Sequence, residues 1–411
     1  MRRVIVVAYH FPPLAGSSGV QRTLRFVQHL PRFGWQPIVL TCHRRAYEQV
    51  RDDDLVADVG KGTVVERAFA LDSARHLAIG GRYPGWLARP DRWISWWPGA
   101  VIAGTRLLAQ HRPDAIFSTY PIATAHLIGG SLARRGRVPW VADFRDPMAQ
   151  DGYPEDPKTW RSFKAVEERV FAHAAACTFT APSALALYRD RYPDAKPHLE
   201  LIENGYDEEA FAQGTGDSRE PLNPGVTTVL HSGIVYPDER DPTQLFQALE
   251  TLKARGTDGR TLRIRFRAAV HEGLLRELAG RHRVEDMIEV LPHAPYREAL
   301  AEMSRADAVL VLQAANCNAQ VPAKLYEYLR ARRPLIAFTD ARGDTAAVLR
   351  ESGVASIASL DDPQQIGELL ARFVRGERAG TAATEQAIAR ASRVERTAQL
   401  ARLLDRVVGE A

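Results

Sequence analysis

A lysine and a glutamate stand three residues apart in the segment 321–329, whose pattern predicts a helix beginning at Pro322. Proline suits the first helical position, where its missing N–H costs nothing. Residues three apart lie on one helix face, so Lys324 and Glu327 would act on the same ligand. The ammonium and the free amides suit a diphosphate, and the carboxylate can accept hydrogen bonds from two ribose hydroxyls. The alternative is a surface ion pair, worth only about 0.3–0.5 kcal/mol.

A second group of residues ends a short apolar strand, 228–231, that opens the second half of the chain. The strand ends in His231, Ser232 and Gly233. Arg240 comes seven residues after the glycine. Small residues offer backbone amides, and a guanidinium binds phosphate oxygens through two parallel hydrogen bonds. This group therefore predicts a further part of a phosphate site.

A glycine-rich loop, made of Gly16, Ser17, Ser18 and Gly19, lies between the first predicted strand and its helix. Glycines let backbone amides approach a ligand, and a helix N-terminus favours negative charge. The spacing matches neither the dinucleotide fingerprint nor a Walker loop, so a plain tight turn is the alternative. His10, at the end of the strand, either faces the same ligand or serves as a capping or packing residue.

Two carboxylates, Asp143 and Asp146, stand at the end of the apolar strand 140–144, with Arg145 between them. Side chains at the carboxyl end of a buried parallel strand point to the place where ligands bind. The two aspartates are therefore candidates for orienting an acceptor. The alternative is an Arg–Asp ion pair that braces the loop. His126, beyond another strand end, is a secondary candidate.

Short apolar strands alternate with helical patterns, and these elements must position the candidate residues. Near-continuous apolar strands between helices indicate parallel sheets that are covered on both faces. The predicted strands are 4–9, 37–41, 115–119, 140–144, 176–180, 228–231, 263–269, 288–291, 308–312 and 335–338.

The polar segment 207–226, rich in glycine and proline, predicts a linker between two α/β domains. The domains would span 1–206 and 227–384. A final helical pattern at 385–411 predicts a C-terminal helix that can pack back on the N-terminal domain. Since ligands bind beyond the carboxyl ends of such strands, we expect the site in a cleft between the domains.

The composition fits a water-soluble globular protein of two domains. The chain has 411 residues, 45% hydrophobic and 25% charged, with a net charge of +4. This modest charge, without a recognised motif, argues against nucleic-acid binding. The three cysteines have neither disulfide nor metal-ligand spacing, and no apolar run reaches the 18 residues of a membrane span. We expect a cytoplasmic protein without a metal.

Four motifs lie in order along nearly the whole chain. They are Val-Val-Ala-Tyr-His-Phe-Pro-Pro-Leu-Ala-Gly-Ser-Ser-Gly-Val-Gln-Arg (6–22), Ala-Asp-Phe-Arg-Asp-Pro (142–147), Ile-Glu-Asn-Gly-Tyr-Asp (202–207) and Pro-Ala-Lys-Leu-Tyr-Glu-Tyr-Leu (322–329). Together they resemble family 4 of the retaining glycosyltransferases. The resemblance implies the GT-B fold, in which two Rossmann-like, doubly wound domains face each other across a cleft. It implies an N-terminal acceptor domain, a C-terminal domain for a UDP- or GDP-type sugar, and no divalent metal.

The resemblance also implies roles for individual residues. The loop 16–19 would lie against the donor phosphates and sugar, and Arg240 would take the place of the family's phosphate-binding lysine. Glu327 would grip the ribose. Lys324 belongs to a Lys-Leu-x-Glu-Tyr variant of the motif and would approach the diphosphate.

The resulting expectation is transfer of a sugar with retained configuration, in which Lys324 and Arg240 stabilise the departing diphosphate. The acceptor would be a glycan, a glycolipid or a small molecule. Two positions depart from the family pattern: Ile234 replaces a frequent arginine, and Ala319 replaces the first of two glutamates. The alternatives are a sugar-nucleotide epimerase of the same architecture and a non-catalytic nucleotide-sugar-binding protein.

An aromatic and basic segment at 82–97 bears on the acceptor. Such a stretch suits a membrane interface or a lipid-linked acceptor, which would place the protein at the inner face of the membrane. It also suits packing on its own domain. Its members are Trp86, Trp93, Trp96 and Trp97, interleaved with Arg82, Arg89 and Arg92.

Overall fold

The computed structural model describes residues 1–14, 18–47, 54–214 and 220–410, which form two compact units. Unit 1 consists of Met1–Asn204 and Arg393–Ala411, and unit 2 consists of Gly205–Ser392. Each unit is built around one parallel sheet with helices in its crossover connections.

The sheet of unit 1 has seven parallel strands in the order β3-β2-β1-β4-β5-β6-β7. The order reverses between β1 and β4, and this reversal is the switch point at which α/β sheets bind ligands. The strands are β1 (Arg2–Ala8), β2 (Trp35–Cys42), β3 (Val64–Ala68), β4 (Ala115–Thr119), β5 (Trp140–Arg145), β6 (Ala176–Phe179) and β7 (His198–Leu201).

The sheet of unit 2 has six parallel strands in the order β10-β9-β8-β11-β12-β13. Counted within the unit, this is the 3-2-1-4-5-6 order of Rossmann folds, with its switch point between β8 and β11. The strands are β8 (Thr227–Ser232), β9 (Leu262–Arg267), β10 (Ile288–Leu291), β11 (Ala308–Gln313), β12 (Leu335–Thr339) and β13 (Ile357–Ala358).

The helices connect successive strands, and several begin at residues that favour a helix start. Asp156, for example, accepts a hydrogen bond from the Thr159 amide and precedes a proline. The helices are α1 (Ser18–His29), α2 (Asp54–Ala57), α3 (Ser73–His76), α4 (Trp96–His111), α5 (Thr124–Gly136), α6 (Pro157–His173), α7 (Pro182–Arg191), α8 (Glu208–Gly214), α9 (Thr243–Ala254), α10 (Glu272–Arg281), α11 (Tyr296–Arg305), α12 (Lys324–Arg330), α13 (Asp344–Glu351), α14 (Pro363–Val374), α15 (Glu385–Arg390) and α16 (Arg393–Gly409).

The final helix, α16, packs on the core of unit 1. Leu400 and Leu404 of α16 share a buried cluster with Leu24 and Val27 of α1 and with Val6 of β1. A separate cluster fills unit 2, where β8, β9 and β11 pack under α9 and α14. The segment 385–411 is thus two helices rather than one, and only the second belongs to unit 1.

All ten strands predicted from apolar runs are present, which confirms the predicted α/β class with two Rossmann-like sheets. Three strands were not predicted. β3 is only half-buried over most of its length, β7 is an edge strand and β13 has two residues, so none is a long apolar run.

Two boundaries in the structure differ from the predicted ones. The segment 207–226 contains α8, which packs against α11 of unit 2, and the units divide between Asn204 and Gly205. α12 begins at Lys324 with Ala323 as its N-cap, so Pro322 precedes the helix instead of opening it.

Candidate functional site

Lys324 lies across the end of β8, at the switch point of unit 2. A Cβ built on Gly233 would lie 3.1 Å from Lys324 Cε, and Gly233 has a φ of +148°, so a side chain there would obstruct the lysine. Lys324 is half-buried, and within the described ranges its ammonium makes no hydrogen bond or ion pair. The structure thus holds an uncompensated cation where this sheet would bind a ligand.

Tyr328 fixes α12 to β8. Its buried hydroxyl oxygen accepts a hydrogen bond from the Ser232 amide at 2.8 Å. Tyr328 follows Lys324 by one helical turn, so this bond fixes the helix end that carries the lysine. Tyr328 could not be predicted as a site residue, since only the fold reveals its partner 96 residues away.

Glu327 has one engaged oxygen and one without a partner. Its Oε1 accepts a hydrogen bond from the Tyr296 hydroxyl at 2.9 Å. Its Oε2 is buried and has no hydrogen-bond partner in the described part of the chain, and the residue as a whole is 8% exposed. A buried oxygen without a donor is costly, so the geometry favours a ligand that supplies one.

Arg240 is anchored beside the same strand end. Its Nη1 donates to the Ile234 carbonyl at 2.7 Å, and its guanidinium lies 5.2 Å from the Tyr236 ring centroid. Burial, together with the positive charges of Arg240 and Lys324, lowers the pKa of His231 to about 4. The contacts of Arg240 with Ile234 and of Lys324 with Gly233 place both cations beside the strand end that carries His231.

The switch point of unit 1 brings His10 and Gly19 together with Arg145. A Cβ on Gly19 would collide with the Arg145 guanidinium and with His10 Nδ1. Arg145 is buried with a φ of +60°, and its Nη1 donates to the Tyr120 carbonyl at 3.3 Å. Burial, aided by the charge of Arg145, lowers the pKa of His10 to about 3. The imidazole is therefore neutral at physiological pH.

The structure gives less information on the other residues of the glycine-rich loop 16–19. Gly16 and Ser17 lie outside the described residues, and Ser18 is the first residue of α1. Their proposed contact with donor phosphates stays a prediction.

Asp143 is part of a buried ion pair, as in the alternative to its predicted role of orienting an acceptor. Its two oxygens accept hydrogen bonds from Arg22 Nε and Nη2 at 3.0 and 2.9 Å. The hydroxyls of Thr119 and Thr178 donate to the same carboxylate at 2.8 and 2.7 Å. These partners, above all the charge of Arg22, offset burial and hold the pKa of Asp143 below its usual value. With four donors and no exposed surface, Asp143 braces the sheet end.

Asp146 is still a candidate for orienting the acceptor. It is only partly buried, directly after the Arg145 turn, and its backbone amide donates to the Phe144 carbonyl at 2.7 Å. Burial raises the pKa of Asp146, and the neighbouring charge of Arg145 opposes that rise. A carboxyl with a raised pKa is better suited to accept a proton.

His126 is a core residue. It is 1% exposed, and its Nδ1 lies 2.8 Å from Ser118 Oγ. Its ring packs against Trp140 and Phe144. Burial lowers the pKa of His126 to about 4. These contacts give His126 a structural role, and its catalytic role stays a prediction.

The aromatic and basic segment packs largely on unit 1. Trp96 is fully buried, Trp93 Nε1 donates to the Ala46 carbonyl, and Trp97 Nε1 donates to Ser131. Trp86 differs, since it is 69% exposed. Three of the four tryptophans therefore have structural partners.

The described ranges contain neither a metal-binding cluster nor a membrane-spanning helix. No group of three or more His, Cys, Asp or Glu side chains in those ranges could hold a metal ion. No described helix combines the length and apolar composition needed to cross a bilayer.

Comparison with protein families matches residues 18–205 to a glycosyl transferase 4-like domain. A comparison with curated protein sequences found no match.

Several solved structures share the fold along the whole chain. Sucrose-phosphate synthase from Thermosynechococcus elongatus matches with a TM-score of 0.66 and 14% identity over 100% of both chains. HepE from Anabaena, solved with UDP-glucose, matches with a TM-score of 0.65 and 13% identity over 99% of this chain and 100% of that one. An α,α-trehalose-phosphate synthase (UDP-forming) from Burkholderia vietnamiensis matches with a TM-score of 0.66 and 14% identity, covering 100% of this chain and 99% of that one. At these identities the likeness establishes a common fold.

Proposed function

Because residues 18–205 belong to the glycosyl transferase 4-like family, as the sequence motifs indicate, we propose that the protein transfers a sugar from a nucleoside diphosphate to an acceptor hydroxyl. One observation carries this proposal: Lys324 and Arg240 flank the end of β8, while Glu327 keeps a buried oxygen without a donor. Two cations and one carboxylate are the groups that a diphosphate joined to a ribose requires.

Unit 2 holds the donor in this proposal. The diphosphate lies over Gly233, where Lys324 and Arg240 neutralise its charge, and the ribose contacts Glu327. We propose a UDP- or GDP-type donor. UDP is the first probe, because HepE from Anabaena was solved with UDP-glucose and with UDP.

The reaction is a substitution at the anomeric carbon with retained configuration. The bond between that carbon and the β-phosphate oxygen breaks, the bond to the acceptor oxygen forms, and the acceptor proton passes to the departing phosphate. Lys324 and Arg240 stabilise the charge that develops on this leaving group. Since these side chains supply the positive charge, we propose a metal-independent reaction.

Unit 1 binds the acceptor in this proposal, and Asp146 orients its hydroxyl. The acceptor is a glycan or glycolipid of the cell surface, or a small molecule. The exposed Trp86, next to the basic residues Arg82 and Arg89, supports a lipid-linked acceptor and peripheral membrane contact at the cytoplasmic face.

A thermal-shift screen of nucleoside diphosphates and their sugars tests the donor assignment. Ligand present at about 100 times its Kd should raise the free energy of unfolding by about 2.7 kcal/mol, because it binds only the folded state. We expect a nucleoside diphosphate to raise the Tm, whereas the parent nucleoside without phosphates should not.

The outcomes separate the competing functions. If no nucleotide raises the Tm, the donor assignment is wrong. If the nucleotide sugar is converted without an acceptor, the protein is an epimerase. Binding without turnover would indicate a binding protein, consistent with Ala319 in place of a glutamate.

A further inference from the structure

The geometry points to Tyr296 as a positioning residue that fixes the Glu327 carboxylate so that it presents a single oxygen, Oε2, to the ribose. This inference rests on the proposed function, since it concerns the nucleotide site of unit 2. It assigns a role to a residue that no sequence motif marks.

Tyr296 is the first residue of α11, and its hydroxyl donates to Glu327 Oε1 at 2.9 Å. A hydrogen bond to an ionised carboxylate is short and about twice as strong as one between neutral groups. The Tyr296 side chain is only half-buried, whereas Glu327 is 8% exposed. The hydroxyl therefore reaches from a partly exposed ring to a nearly enclosed carboxylate.

The bond restricts how Glu327 can meet a ligand. Because Oε1 accepts from Tyr296, the carboxylate plane and its rotamer are fixed from one side. The other oxygen, Oε2, is the buried atom without a partner among residues 1–14, 18–47, 54–214 and 220–410. A ribose hydroxyl that donates to Oε2 satisfies the carboxylate. The expectation that Glu327 accepts hydrogen bonds from two ribose hydroxyls therefore changes to one dominant contact, at Oε2.

A purely structural role for Tyr296 would be a link between α11 and α12. Both roles use the same hydrogen bond, but they differ in what its loss changes. A structural link affects stability and the binding of any ligand. A positioning residue affects only ligands that bind through Glu327, and only while Glu327 is present.

The test is a double-mutant cycle with Tyr296→Phe, Glu327→Ala and the double variant, in the full chain. Dissociation constants are measured by calorimetry for UDP, 2′-deoxy-UDP and 3′-deoxy-UDP. Tyr296→Phe removes only the hydroxyl and leaves Glu327 Oε1 without that donor, so its Tm should fall modestly while the variant stays folded. Tyr206→Phe, which removes a hydroxyl from a tyrosine that packs on Phe211 in the same unit, is the matched control.

We expect Tyr296→Phe to weaken UDP binding by about two- to tenfold, the range for one lost hydrogen bond. The loss should vanish when Glu327 is already alanine, because the two residues act as one group. One of the two deoxy analogues should bind much more weakly than UDP to the unmodified protein, and the other should bind almost as well.

An equal loss in the presence and absence of Glu327 would overturn the inference, as would equal penalties for the two deoxy analogues. Either result leaves the donor site in place. If the unmodified protein binds neither UDP nor GDP, the proposed function itself fails, and this inference fails with it.

Discussion

Replacing Lys324 with alanine is expected to lower kcat/KM for sugar transfer by about 10²–10³-fold, the range for loss of one group that stabilises developing charge. The reason is its place across the end of β8, half-buried and without a carboxylate partner in the described part of the chain. A charge that no described side chain neutralises is available to the departing diphosphate. Initial-rate kinetics with the donor found by the screen measure this effect.

Lys253→Ala is the matched control, because Lys253 lies in the same unit and pairs with Asp286 on the surface. Its loss should leave kcat/KM nearly unchanged, since exposed ion pairs contribute about 0–1 kcal/mol to stability. An unchanged rate for Lys324→Ala, within about threefold of the unmodified enzyme, would show that Lys324 does not contact the leaving group.

Replacing Arg22 with methionine is expected to cost about 3–5 kcal/mol of stability, because it leaves a buried carboxylate without its cation. Arg22 is 2% exposed and Asp143 is fully buried, and the ion-pair distance is 2.9 Å. Arg22 also donates to the Ile202 and Glu203 carbonyls, so it joins α1 to the segment that follows β7. Denaturant unfolding measures the loss.

Tryptophan fluorescence reports the unfolding of unit 1, because all seven tryptophans lie in this unit. They are Trp35, Trp86, Trp93, Trp96, Trp97, Trp140 and Trp160. Arg402→Met, which removes an exposed ion pair with Glu395 in unit 1, is the control and should change the free energy of unfolding by no more than about 0.5 kcal/mol. If Arg22→Met changes the free energy of unfolding as little as the control does, the buried ion pair does not stabilise unit 1.

The fold was predictable where strands are continuous apolar runs. Such runs mark every central strand of both sheets, and their alternation with helices implied two parallel sheets. The GT-B fold implied by the motifs is confirmed by the solved structures that match the whole chain. The edge strands β3 and β7 escaped prediction because an edge strand is buried on fewer sides and so carries fewer apolar residues.

The site was predictable only where the chemistry lies within one short segment. Lys324 and Glu327 stand three apart, so their spacing alone indicated a shared face. In the sequence, Asp143 cannot be distinguished from a ligand-binding carboxylate. The sequence does not show that Arg22, 121 residues away, neutralises it. The Tyr296–Glu327 bond likewise spans 31 residues and depends on the sheet that brings α11 beside α12.

Hydrogen exchange with and without UDP tests the central claim most directly, by mass spectrometry of peptides that cover both units. The account predicts slower exchange of amides in 232–240 and 322–330 when UDP is bound, with α14 on the same unit unchanged. Protection confined to other segments, while these two exchange as fast as without UDP, would contradict a donor site formed by Lys324, Arg240 and Glu327.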